Sequence, residues 1–274
     1  MEIFGKLDIL KDVKIPKVQY FSDAEYTTRL QKVREKMSDQ RIDLLILTKP
    51  ENIRYLTGFY TFGGAPQFLL IPQEGEPVHI LRFLESFLTE MYSYLPSDNV
   101  IIYDDTEDPL DVVARLVKRM GLDKSVIGTE GWHMSDLTKH RLSHPEHGRL
   151  CHAAWRHIDG NSVDSIVESV RDVKSEAELD CMRRAGRMSV QGAKAGLDAI
   201  REGVTDNEVA AEIAASLFKS GSEMLPHSPI VTSGWRSGVP HTSFERQRIQ
   251  RGDTVLIEFT GVYAGYVAPI MRSA

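Results

Sequence analysis

Residues 225–272 (LPHSPIVTSGWRSGVPHTSFERQRIQRGDTVLIEFTGVYAGYVAPIMR) gather the residue types from which a reaction centre can be built. Glu258 is a lone acid in the run VLIEFTG, where alternation sets Val255, Ile257 and Phe259 on one face and Leu256, Glu258 and Thr260 on the other. A carboxylate among such neighbours is partly desolvated; it can attract a cation, attack carbon or activate water. His241 follows Pro240 in a turn and suits proton transfer near neutral pH. Tyr263 and Tyr266 supply hydroxyls, and Arg272 can hold a carboxylate through two parallel hydrogen bonds. Each residue also has a plain structural reading. Glu258 can be a structural acid paired with Arg272 or a backbone amide, and His241 a surface turn histidine. His227 can be structural or pocket-lining, and the two tyrosines core or rim residues of a hairpin.

The elements that must position these residues are legible from periodicity and caps. Ser175 and Glu178 form a capping box, and Leu179, Met182, Ala185, Gly186 and Val190 continue a helix to about residue 200. Its small residues Gly186, Gly192, Ala193 and Gly196 permit close backbone packing. Thr205 and Glu208 cap a second helix with Val209, Ile213 and Leu217 on its apolar face, ending near Gly221. Strands follow at 229–233, at 254–262 and through 270. The order helix, helix, strand, strand, strand predicts an α+β domain over residues 164–274.

Residues 20–160 read as an α/β domain. Ser22 and Glu25 cap a helix, IDLLIL at 42–47 suits a buried strand, and a helical turn begins at Pro50. A hairpin joins 68–71 to 78–81, further strands are expected at 100–103 and 125–128, and a helix at about 109–120. Gly58, Gly63 and Gly64 lack the spacing of a phosphate loop. Tyr55, Phe59, Tyr60 and Phe62 read chiefly as packing. His79, His133, His140, His144 and His147 are scattered without ligand spacing and read mostly as surface residues.

Composition narrows the function. With 274 residues the chain makes one large domain or two ordinary ones, and 42% apolar with 26% charged residues is a globular balance. A net charge of −6 argues against nucleic-acid partners. No run of 18 apolar residues suggests a membrane span, and the N-terminus lacks the apolar core of a secretory signal. Cys151 and Cys181 show no spacing that suggests pairing, which favours a cytoplasmic setting.

VRDVKSEAELDCMRRAGRM, IVTSGWRSGVPH, GDTVLIEFTGVYAGYVAPIMR and, earlier, YLTGF resemble segments of the creatinase/aminopeptidase P/prolidase group, the pita-bread enzymes. The likeness covers about residues 20–274 and implies a creatinase-type N-terminal domain followed by a partial pita-bread domain. In the metallopeptidase branch the hairpin carries two aspartates as metal ligands; here those positions hold Glu258 and Pro269, and proline has no side-chain donor. The group's remaining metal ligands, a histidine and two glutamates, are expected beyond residue 274. The resemblance therefore implies no metal and no other cofactor. Glu258, Gly261, Tyr263, Tyr266, Pro269 and Arg272, with Pro240 and His241 before them, look most like the ectoine hydrolase form.

That likeness implies a metal-independent hydrolase cleaving a non-peptide C–N bond in a small amidine-like zwitterion. Glu258 and His241 would be catalytic, with Tyr266, Tyr263 and Arg272 binding the substrate. An Xaa-Pro-type metallopeptidase with an altered site, and an incomplete or non-catalytic binding protein, are the alternatives. A homodimer is implied by the group.

Overall fold

The computed structural model describes residues 15–130, 140–144, 150, 152–158 and 165–274. The chain forms two compact units, Met1–Val173 and Lys174–Ala274.

The first unit is an α/β domain with helices α1 (Asp23–Asp39), α2 (Pro50–Thr57), α3 (Phe83–Ser86), α4 (Thr89–Tyr92), α5 (Pro109–Arg119) and α6 (Val167–Asp172). Its strands are β1 (Leu44–Leu47), β2 (Phe68–Pro72), β3 (Val78–Arg82), β4 (Val100–Tyr103), β5 (Val126–Glu130) and β6 (Ala154–Ile158). They form one mixed sheet in the order β4-β3-β2-β1-β5-β6, with β1–β2 and β2–β3 antiparallel. Alternate residues of β1 enter different cores. Leu44 and Ile46 join Phe68, Leu70, Ile127 and the α5 residues Val113 and Val117, while Leu45 and Leu47 join Leu69, Ile71, Val33, Met37 and Ile53. Cover on both faces is why this strand is written as an unbroken apolar run.

The same cover corrects the reading of His79 as a surface residue. It lies on β3 with no exposed area, its Nε2 3.1 Å from Gln67 Oε1 and its ring edge-on to Phe59 at 4.9 Å. Burial lowers its pKa to about 3, so the ring is neutral at ordinary pH. The rings of His140 and His144 lie 5.4 Å apart, and His133 and His147 are outside the described residues. Cys181 is buried and free; Cys151 is also outside the described residues.

The first unit runs to Val173, at the end of α6. Glu130, fully buried at the end of β5, accepts backbone N–H groups of Ile166, Val167 and Glu168 at 2.9–3.2 Å. It thereby satisfies the otherwise unpaired first turn of α6 and ties that helix to the first unit. Burial nonetheless pushes the Glu130 carboxyl above its usual range, against the pull of those N–H donors.

The second unit contains α7 (Glu176–Ala199), α8 (Asp206–Lys219) and the antiparallel sheet β7 (Ile230–Ser233), β8 (Val255–Tyr263) and β9 (Tyr266–Ser273), in that order across the sheet. Both expected capping boxes are present, at Ser175–Glu178 and Thr205–Glu208. One sheet face is sealed: Val231, Val255, Ile257 and Phe259 pack with Val209, Ile213 and Leu217 of α8 and Met188 and Ala193 of α7. A methyl group at Gly192 would sit 2.8 Å from Phe259, and one at Gly196 2.7 Å from Ile213. Ser189 bridges α7 to the hairpin, donating to the Ala268 carbonyl at 2.6 Å and accepting from the Gly261 N–H at 2.9 Å. Ala264 and Gly265, both at positive φ, turn the hairpin, and the Glu223 carboxylate receives both of their N–H groups.

Candidate functional site

Strand parity and register decide which candidate side chains share a face. Glu258 pairs with Ile230 on β7 and Met271 on β9, Leu256 with Thr232 and Ser273, and Thr260 with Pro269. Paired residues stand on one side of an antiparallel sheet, so all of these share Glu258's side, opposite the helices. That side is partly open: Met271 is 53% and Val267 46% exposed. Glu258 is half-buried at the centre of β8, and its carboxylate makes no hydrogen bond or ion pair among the described residues. The structural reading of Glu258 as a partner of Arg272 is therefore set aside.

Tyr263, Tyr266 and Arg272, the expected substrate-binding residues, occupy the opposite parity to Glu258, the face toward α7. Tyr266 donates through its hydroxyl to Glu178 Oε1 at 2.7 Å, and Glu178 is also the reciprocal member of the α7 capping box. Tyr263 accepts from Arg184 at 3.3 Å, with that guanidinium 5.1 Å from its ring centroid. Arg272 is exposed at the end of β9, beside Met271 and across from Ile257. All three therefore stand away from Glu258's side of the sheet.

His241 lies in the loop that leaves β7 through a short 3-10 turn, Gly234–Gly238. It is exposed and held at φ 59°, a left-handed conformation uncommon for a residue other than glycine. Two residues later, Ser243 donates through Oγ to the Pro229 carbonyl at 3.3 Å. Pro229 immediately precedes Ile230, the register partner of Glu258, so the loop returns to the start of the strand that pairs with β8. His227 is exposed, its Nδ1 2.8 Å from the Ser228 carbonyl.

Two residues of this region escape single-sequence reading. The Thr232 hydroxyl stands on Glu258's face, buried and without a hydrogen-bond partner among the described residues. Arg236, only 6% exposed, donates to Asp206 Oδ2 at 3.2 Å. An arginine in a turn carries no sequence mark of burial; its partner lies 30 residues earlier.

A metal pair needs several carboxylate or imidazole donors converging on one face. Glu258 is the one carboxylate of the three strands, and the neighbouring position on its face, Pro269, offers no donor. No group of three His, Cys, Asp or Glu side chains gathers among the described residues. These three strands thus offer a metal one side-chain carboxylate, Glu258, where a two-metal centre takes several.

Among solved structures, prolidase from Pyrococcus furiosus superposes with a TM-score of 0.71 at 22% identity, covering 89% of this chain and 70% of that one. Prolidase from Thermococcus sibiricus gives 0.75 at 20% identity, over 91% and 65%. Residues 29–143 match the Creatinase/Prolidase N-terminal domain, and residues 180–274 match Metallopeptidase family M24. The uncharacterized hydrolase/peptidase y4tM of Sinorhizobium fredii is 30% identical over 270 residues, 94% of this chain and 67% of that protein. Ectoine hydrolase of Halomonas elongata is 27% identical, over 92% and 66%. The chain belongs to the M24 creatinase/prolidase superfamily. It spans about two thirds of the length of the curated relatives it matches.

Proposed function

We propose that this chain carries site residues of a hydrolase that opens a C–N bond in a small amidine-like zwitterion without a metal; its likeness to ectoine hydrolase supports the hydrolase reading. The observation that carries this reading is the half-buried Glu258 carboxylate, without a partner among the described residues, with donorless Pro269 near it on one face. A carboxylate so placed attracts the cationic amidinium and favours attack at its carbon. Water adds to that carbon, one C–N bond breaks, and the departing nitrogen takes a proton. His241 is the group proposed to receive the water proton and return it to nitrogen. Tyr263, Tyr266 and Arg272 are left out of the substrate contacts because they stand on the other face.

The test is to mix the purified chain with ectoine and follow ring opening by proton NMR. Turnover is expected, and Glu258→Gln should reduce it by at least about a hundredfold, the usual scale for losing one electrostatic contact to the charge of the transition state. A Glu258→Gln variant that turns over normally removes the residue from the mechanism.

A second reading, an Xaa-Pro dipeptidase-type metallopeptidase, is favoured by the 24% identity to the Xaa-Pro dipeptidase of Pyrococcus furiosus. Cleavage of Xaa-Pro dipeptides that rises on adding Mn, Co or Zn, with ectoine untouched, would establish it instead.

A further inference from the structure

The loop that carries His241 is fastened to the start of α8 by an unusual density of contacts. Three consecutive N–H groups of the loop are received by the first two side chains of that helix. Glu245 N–H donates to Asp206 Oδ2 at 3.1 Å, Arg246 N–H to Asn207 Oδ1 at 2.7 Å, and Gln247 N–H to Asp206 Oδ1 at 3.0 Å. The backbone answers in kind: Asp206 N–H donates to the Gln247 carbonyl at 2.9 Å, and Ile249 N–H to the Val204 carbonyl at 2.8 Å. Arg236 closes the other end of the loop. One arm of its guanidinium reaches Asp206, a side chain with no exposed area, and another donates to the Ser243 carbonyl. Thr242 Oγ1 in turn donates to the Arg236 carbonyl at 3.2 Å and the Val239 carbonyl at 3.0 Å.

His241 sits between these fastenings at φ 59°, and Arg246 is held at φ 65°. Left-handed backbone at non-glycine residues relaxes unless its surroundings over-determine it. The Asp206 carboxylate supplies that constraint: it joins both ends of the loop in one buried ion pair with two further backbone donors, a geometry whose partners are costly to separate.

We propose that Asp206 and Arg236 are positioning residues for His241: their buried pair, with Asn207, holds the turn in its left-handed form beside β7, where the imidazole serves the reaction. The inference rests on His241 as the proton-transfer group, and the test separates the two. The ring signals of His241, identified by their loss in His241→Asn, are compared in the wild-type chain and in Asp206→Asn, Arg236→Lys and Asn207→Ala. Arg236→Lys keeps the charge beside Asp206 but lacks the second arm, and Asn207→Ala removes one backbone fastening while leaving the ion pair; these two decide the matter if Asp206→Asn does not fold.

A positioning role predicts a shifted, broadened His241 signal in the folded variants and tryptic cleavage after Arg246 that quickens about tenfold as that bond becomes accessible. It also predicts a kcat on ectoine lowered by on the order of a hundredfold with little change in KM. Unchanged His241 signals in folded Arg236→Lys and Asn207→Ala overturn the proposal, whatever the turnover. Normal turnover by His241→Asn, with the signals disturbed as expected in the other variants, would instead overturn the role given to His241 while leaving the clasp established.

Discussion

Among the residues near the hairpin, hydrogen-bonding partners distinguish the candidates for chemistry from those that hold the fold. Glu258 has none among the described residues, whereas the Tyr266 hydroxyl is committed to Glu178 at the head of α7. Replacing Tyr266 by Phe is expected to lower the unfolding free energy by about 1 kcal/mol, the usual worth of one such bond, because Glu178 loses a buried donor. Urea unfolding measures this, and ectoine turnover should stay as in the wild-type chain. A large fall in kcat without loss of stability would return that hydroxyl to the substrate. The parity separating Glu258 from Tyr263 on β8 is legible in the sequence itself, since an odd number of steps along a strand reverses the face. The separation from Tyr266 and Arg272 is not, because it requires the β8–β9 register.

Among the elements, the close approach of α7 to the hairpin and α8 fixes where β8 lies. Glycine at Gly192 and Gly196 lets the helix come in, and the spacing of small residues along the chain already marks that face of α7. An alanine usually strengthens a helix interior relative to glycine by about 1 kcal/mol. At Gly196 the opposite sign is expected, because its methyl would lie 2.7 Å from Ile213 and 3.3 Å from Ile257. Overpacking of this kind costs about 1–3 kcal/mol. Gly196→Ala should therefore unfold at lower urea than wild type, and a rise in its midpoint would show that α7 can shift at no cost. The helices and their caps follow from local patterns, whereas α6 is joined to the first unit through Glu130, a contact 36 residues distant that no local signal reveals.

For the protein as a whole, His79 offers a pH test. Folded, its imidazole stays neutral down to about pH 3; unfolded, it takes a proton near its ordinary value of 6.5. Between those values the unfolded chain binds more protons, so this residue's contribution to stability falls as pH falls from about 6.5 toward 3. For one such group the slope approaches about 1.4 kcal/mol per pH unit. Comparing wild type with His79→Leu by denaturant unfolding between about pH 7 and about pH 4.5 isolates it: the variant should lose stability less steeply on acidification. Parallel curves would mean that His79 is open to water. No described helix is long and apolar enough to cross a membrane.

Hydrophobic spacing, capping residues and small-residue placement suffice for the two-domain order, the main helices and strands, and the stretch in which the candidate carboxylate and histidine lie. These are encoded within a few residues of one another, at the scale of a helical turn or a strand pleat. Folding in three dimensions added what no local pattern carries: His79 enclosed by cover on both sheet faces, Tyr266 and Arg272 standing away from Glu258, and Arg236 buried against Asp206. Each depends on contacts between segments distant in the chain, where pairing register and desolvation, rather than local preference, set the outcome.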